Sequence, residues 1–400
     1  MGNKFYTPDG FCDTLPEVCA FKKEAESRIR RLFGLHGYTE IETPGVEYGD
    51  IYTKTDFVPE EELYKFTDHK GRLLCARYDG TVPAARFAAT VYKNESLPLR
   101  LSYIENMYRF NQSGGGKQSE FTQAGIELMG VAGSDADAEV IALAIKTIIE
   151  TGIDDLQISI GQVKLFKGII NQLGINDEDA QFIYNAIESK DSVALEKVAT
   201  KLGLSDDDKQ TLLMLPEGQG TYDIIDAFRS RVTDPEAISA LDNMKEILDV
   251  MDEYGYLKYV SVDPGLLSGA DYYTGVIFKG YTYEVGFPIV SGGRYDNAVG
   301  VFGRDMECVG FSLSLSLAIT AIMRQGAELE TVAADAIIGY DSSVKGARAA
   351  ALSMAEGMRL EGTSVILDTT FNTAEELDSY ADANNISACF FIDTVEEGQN

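Results

Sequence analysis

The sequence predicts an α+β protein: an antiparallel sheet flanked by helices, carrying a helical insertion and ending in a small C-terminal α/β domain. Three observations predict it. Leu99–Phe110 and Phe121–Met129 alternate as two strands around the glycine-rich turn Ser113-Gly114-Gly115-Gly116, a long antiparallel hairpin. From about 165 to 255 amphipathic helical patterns follow one another, separated by Gly and Asp/Ser punctuation. From Ala334 onward short apolar runs alternate with helical patterns, as a βαβαβ unit requires. The expected organisation is a core over 1–325, with the insertion at about 165–255, and a small domain over 331–400.

In chain order, Thr14-Leu15-Pro16-Glu17 reads as a capping box with an early proline. It opens a helix whose apolar positions Phe21, Ala25, Ile29, Leu32 and Phe33 recur at helical spacing until Gly37. An extended segment, Tyr38–Thr43, stops at Pro44. After the hairpin a helix is expected from Ala136 to about Thr151. The insertion's clearest helices are Ala180–Ser189, Val193–Leu202, Ile224–Val232 and Ala237–Tyr254. Strand-like, aromatic-rich sequence returns over Tyr259–Phe287, and Cys308–Leu313 forms a strand leading into a helix through Ile322. In the tail the strands are Ala334–Gly339, Ser364–Leu367 and Ala388–Ile392, with helices Ser342–Leu360 and Ala374–Ala383 between them.

Composition narrows the function classes. With 34 Lys and Arg against 64 Asp and Glu, the net charge is −30. Nucleic-acid affinity rests on Lys/Arg contacts to phosphate, so such a surface disfavours a nucleic-acid partner. No run of about 18 apolar residues is available to span a bilayer. The opening Met1-Gly2-Asn3-Lys4-Phe5 lacks an apolar signal segment, and Tyr6 breaks the myristoylation pattern, so a cytoplasmic chain without membrane contact is expected. The five cysteines form no CxxC pair and are expected to be buried and reduced. With only His36 and His69, both expected at the surface, neither a multi-histidine metal site nor a histidine base is expected. Ser113-Gly114-Gly115-Gly116-Lys117 fails as a phosphate loop, because Asn111 and Gln118 stand where glycine and Ser/Thr are needed.

Three ordered segments carry the chemistry. They are Arg77-Tyr78-Asp79-Gly80-Thr81; the hairpin Tyr103–Phe110 returning through Phe121-Thr122-Gln123-Ala124-Gly125-Ile126-Glu127; and Asp271-Tyr272-Tyr273-Thr274-Gly275 followed by Ser291-Gly292-Gly293-Arg294-Tyr295-Asp296. In order and spacing they resemble the catalytic domain of histidyl-tRNA synthetase, a class II aminoacyl-tRNA synthetase, over about residues 6 to 322. The opening Thr7–Pro16 resembles that family's N-terminal motif, and the helix and strand ending at Pro44 resemble its dimer-forming element, which implies a self-dimer. The tail resembles a truncated anticodon-binding domain.

The resemblance implies that Asp79, Thr81 and Gln123 bind an α-amino group, that Glu127 and Tyr273 address an imidazole, and that Arg109 faces the carboxylate and α-phosphate region. Asp79 stands where the synthetases usually carry glutamate. The residue types suit these roles: two carboxylates and an amide can hold an ammonium and a ring N–H, and Tyr272 and Tyr273 supply flat walls with polar tips. The ATP-binding cations are missing. Ser268 replaces the arginine of the family's Arg-Gly-Leu-Asp-Tyr-Tyr motif, and Leu317, in Ser314-Leu315-Ser316-Leu317, replaces the arginine that clamps the γ-phosphate. The loop 111–119 keeps only Lys117.

A pocket without its phosphate machinery is similar to the regulatory subunits of short-form ATP phosphoribosyltransferase, the entry enzyme of histidine biosynthesis. That resemblance implies a non-enzymatic subunit without cofactors, a short-form catalytic subunit as partner, and feedback by L-histidine. The alternatives are an active histidyl-tRNA synthetase or a synthetase-like sensor serving another partner.

Overall fold

The structure, a computed structural model, describes residues 6–53, 58–110, 118–267, 272–330, 332–371 and 373–395. The glycine-rich turn, Lys117, Ser268 and Asp271 lie outside the described residues. The chain divides into two compact units, Met1–Thr14 with Lys22–Glu328, and Leu15–Phe21 with Leu329–Asn400.

Helix α1 (Pro16–Leu35) buries Ala25, Ile29 and Phe33, and Gly37, at φ +77°, ends the run in a left-handed turn. Strand β1 (Thr39–Glu40) follows. A small antiparallel sheet in the order β2-β4-β3 comes next, from β2 (Val46–Tyr48), β3 (Lys65–Thr67) and β4 (Leu73–Ala76), with the one-turn helix α2 (Asp50–Thr53) between its first two strands. Helix α3 (Thr81–Thr90) has no polar stripe to announce it: Val82, Pro83, Ala84, Ala85, Ala88 and Ala89 are all buried.

The hairpin of β5 (Leu99–Tyr108) and β6 (Glu120–Met129) is paired along its whole length. Helix α4 (Ser134–Glu150), buried through Val140, Ile141, Ala144, Ile145 and Ile148, precedes β7 (Leu156–Gln162). Six helices then run in succession: α5 (Val163–Gln172), α6 (Asp177–Glu188), α7 (Ser192–Lys201), α8 (Asp206–Glu217), α9 (Tyr222–Arg229) and α10 (Pro235–Glu253). They divide by packing. Helices α5 and α10 lie on each other and α10 lies on α4, while α6, α7 and α8 pack among themselves. The Gln162 amide, donating to Asn243 Oδ1 at 2.8 Å, ties the end of β7 to α10.

Strands β8 (Val260–Val262), β9 (Val276–Thr282), β10 (Val290–Arg294) and β11 (Cys308–Ser314) complete an eight-stranded sheet ordered β1-β5-β6-β11-β10-β9-β7-β8, and α11 (Leu315–Arg324) closes this unit. The sheet is antiparallel except at its edges, where β1 joins β5 and β8 joins β7 in parallel. The stretch Tyr259–Phe287 is therefore two strands, with the loop carrying Tyr272 and Tyr273 between them.

In the other unit β12 (Ala336–Tyr340), α12 (Ala347–Leu360), β13 (Val365–Leu367), α13 (Ala374–Ala383) and β14 (Ala388–Ile392) make a parallel sheet in the order β13-β12-β14. Ala351 and Ala355 of α12 pack with Ala336 and Ile338 on one face, and Leu377 and Ala381 of α13 pack with Ile337 on the other.

Two expectations are corrected. Cys12 and Cys19 are exposed, and only Cys75 and Cys308 are buried. His36 is half-buried rather than at the surface: its Nδ1 lies 2.9 Å from the Leu32 carbonyl and its Nε2 3.1 Å from Lys146 Nζ. Among the described residues no helix is long and apolar enough to cross a membrane.

Candidate functional site

Between β4 and α3 the chain turns through Arg77-Tyr78-Asp79-Gly80, and Arg77 fixes that turn. Its guanidinium donates to the Thr43 carbonyl at 2.6 Å and to the Asn106 carbonyl at 3.0 Å, and pairs with Glu105 at 2.7 Å. Asp79 Oδ1 accepts the Val82 N–H at 3.2 Å, so this carboxylate meets the first turn of α3 from one residue before its N-cap, Gly80. Gly80 is required by close approach: a Cβ there would lie 2.1 Å from a carbon of the Tyr103 ring. At Gly125, directly opposite Tyr103 on β6, a Cβ would stand 2.5 Å from the same ring.

These elements surround a cavity of about 230 Å³ whose walls include Asp79, Thr81, Arg109, Gln123, Tyr272 and Tyr273. It falls below the about 300–1,000 Å³ of drug-sized pockets, which suits a ligand of amino-acid size. Gln123 is held at both ends of its amide: Oε1 accepts the Gly80 N–H at 3.2 Å, and Nε2 donates to Ser312 Oγ at 2.9 Å. Arg109 donates from Nε to the Tyr78 carbonyl at 3.1 Å, with its guanidinium 4.4 Å from the Tyr78 ring centre and 5.1 Å from that of Phe121. Tyr272 stacks on Tyr295 at 5.4 Å and meets Tyr273 edge-on at 4.7 Å. Tyr273 can lie flat on the sheet because Gly293 has no side chain; a Cβ there would sit 2.7 Å from its ring.

Glu127 is placed differently from the other six. It is fully buried behind the wall, with Tyr295 donating to Oε2 and Tyr103 donating to Oε1 at 3.4 Å. Gly310, which lines the cavity, faces that carboxyl so closely that a Cβ would stand 1.9 Å from Oε2. Burial pushes the Glu127 carboxyl up to about 8, against the opposing pull of the Tyr295, Thr81 and Tyr103 hydroxyls. Asp79 is raised to about 6 by the same desolvation, restrained by the Arg109 charge and the Val82 N–H. Tyr103 and Tyr295 were not among the candidates read from the sequence. The alternation Gln123, Gly125, Glu127 pointed to this face of β6, but the hydroxyl partners come from β5, from the residue after β10 and from the start of α3.

The opposite face of the hairpin carries acid and amide groups. Glu120 accepts from Asn106 Nδ2 at 3.0 Å and Tyr108 Oη at 3.1 Å, and Ser316 Oγ accepts the Thr122 N–H at 3.0 Å. Leu317 follows, half-buried in the first turn of α11. Among the described residues no cluster of three His, Cys, Asp or Glu side chains is arranged to hold a metal.

Sheet order and cavity together define a class II aminoacyl-tRNA synthetase fold, and a family model described as histidyl-tRNA synthetase matches residues 10–317. Among curated proteins, the ATP phosphoribosyltransferase regulatory subunit of Acetivibrio thermocellus is 42% identical over 379 residues, 94% of this chain and 90% of that protein. The protein of the same name from Ruminiclostridium cellulolyticum is 38% identical over 390 residues, 97% of this chain and 92% of the relative. A crystal structure described as an ATP phosphoribosyltransferase regulatory subunit/histidyl-tRNA synthetase from Bacillus halodurans superposes with a TM-score of 0.89 at 30% identity, covering 99% of this chain and 100% of that one. The chain belongs to the histidyl-tRNA synthetase-like family of ATP phosphoribosyltransferase regulatory subunits.

Proposed function

We propose that this chain is a catalytically silent subunit that binds L-histidine in the cavity and, paired with a short-form ATP phosphoribosyltransferase catalytic subunit, makes that enzyme responsive to histidine. The observation that carries the reading is an asymmetry of the site. The groups suited to an ammonium and an imidazole, Asp79, Gln123, Tyr273 and the buried Glu127, are gathered around one cavity. A neutral Leu317 occupies the position where the synthetases need a cation for ATP.

Regulation requires histidine to bind two conformations of the complex with different affinity, and the coupling is reciprocal. The catalytic subunit should therefore change the histidine affinity of this chain by the factor by which histidine changes its binding. A sensing role suits Kd values of about 10 µM to 1 mM, or about 4–7 kcal/mol. The test is calorimetry with L-histidine on the wild type, Asp79→Asn and Glu127→Ala, alongside phosphoribosyl transfer by the reconstituted complex. Each substitution should weaken histidine binding about tenfold or more and blunt feedback in parallel. Unchanged binding and feedback in both variants would move the sensing site elsewhere.

The reading includes a self-dimer through α1 and the segment ending at Pro44, supported by family membership. Sedimentation at micromolar concentration should give a dimer, and a strict monomer even alongside the catalytic subunit would refute it.

A further inference from the structure

An amino acid brings a carboxylate as well as an ammonium, and at the Asp79 end of the cavity Arg109 is the charge of the right sign. That cation is held at the Tyr78 carbonyl. The register of the central sheet supplies another. Gly125, Ser312, Ser291, Lys279, Ser159 and Ser261 are successive partners in one row across β6, β11, β10, β9, β7 and β8. Directly paired residues share a face of a sheet. Ser312 and Ser291 line the cavity, so Lys279 rises from the same floor one strand beyond Ser291, about 5 Å away. Its four-carbon stem can cover that gap.

Lys279 is half-buried, and desolvation lowers its pKa against the pull of Glu188 and Asp263. Those two carboxylates are engaged with backbone: Glu188 accepts the Leu267 N–H at 3.1 Å, and Asp263 accepts the Gly265 N–H at 3.0 Å. Both hold the start of the loop that leads to Tyr272 and Tyr273. Glu188 and Asp263 are the charges that face Lys279, and among the described residues neither comes within 4 Å of its ammonium. A partly desolvated ammonium with no carboxylate within 4 Å among the described residues, one strand from a cavity whose other end carries Asp79, favours an anion between the two.

We propose that Lys279 is the specificity-determining cation of this site, its ammonium closing on the α-carboxylate of the amino acid held at the Asp79–Gln123 end. This rests on the reading of the cavity as an amino-acid site.

The test uses the full-length chain with L-histidine and L-histidinol, which keeps the ammonium and imidazole but has no carboxylate. Calorimetry on the wild type should show histidine preferred about tenfold or more. Lys279→Met and Lys279→Gln should each remove most of that preference by weakening histidine alone, while Lys279→Arg keeps it. Unaltered histidinol binding shows at the same time that the variants are folded. A preference that survives in both neutral variants overturns the role of Lys279, as does an equal loss for both ligands, and so does a wild type that binds the two alike. A wild type that binds neither ligand overturns the amino-acid reading of the cavity, and the role of Lys279 with it.

Discussion

Mixed with ATP, L-histidine and labelled pyrophosphate, the full-length chain should exchange label no faster than buffer. Adenylation develops negative charge on the α-phosphate, and fixed cations supply most of the stabilisation. Removing one such partner typically costs about 10²–10³ in rate. The sequence replaces two, at Ser268 and Leu317. Losses at residues that act together do not multiply fully, but a single arginine at 109 leaves little acceleration. Histidine-dependent exchange at a synthetase-like rate would refute catalytic silence without touching the binding reading.

The second large effect is on stability against pH. Glu127 titrates at about 8 in the fold against 4.5 for an exposed glutamate, because burial disfavours its charged form. Between those values the folded chain holds a proton that the unfolded chain has released. Stability from this group is therefore fully present below about pH 4.5, declines as pH rises, and levels off above about 8. The slope is at most about 1.4 kcal/mol per pH unit. Asp79, raised from 3.8 to about 6, adds a term of the same sign over a lower window. Groups with lowered values, such as Glu139 beside Arg100, act in the opposite sense, so the informative quantity is a difference. Urea unfolding from pH 5 to 8.5 should show Glu127→Gln gaining on the wild type as pH rises. Parallel profiles would mean that Glu127 is ionised in the fold throughout.

What the sequence disclosed follows from which residues carry a period. The hairpin and the C-terminal unit were legible because alternation and strand–helix succession are local signals, and β5, β6, α13 and β14 lie close to where those patterns put them. Helix α3 was not, since an alanine-rich segment with Pro83 inside it and little beyond Arg86 and Thr90 on its outer side sets only a weak phase. Strand β10 was hidden by its own glycines: Val290-Ser291-Gly292-Gly293-Arg294 has low strand propensity, and it pairs because Phe278 and Tyr273 fill the space those glycines leave. At the site, the types and order of the side chains were readable. That Glu127 sits behind the wall, bonded to Tyr103 and Tyr295, was not. Strand pairing brings those hydroxyls together, and a one-dimensional reading has no access to register across β5, β6, β11 and β10. The position of Lys279 beside Ser291 was hidden for the same reason.

The glycines around the cavity bear on how such a site outlasts a change of use. Side chains at 80, 125, 293 or 310 would collide with Tyr103, Tyr273 or Glu127, so drift at these positions is opposed by folding itself, whatever the cavity holds. The hollow is therefore inherited along with the sheet. A lineage that abandoned the ligand would keep the void and lose its polar lining first, at positions such as Asp79 and Gln123, where substitution costs hydrogen bonds but forces no collision. Retention of those polar residues across descendants is thus a more telling record of selection for binding than persistence of the hollow.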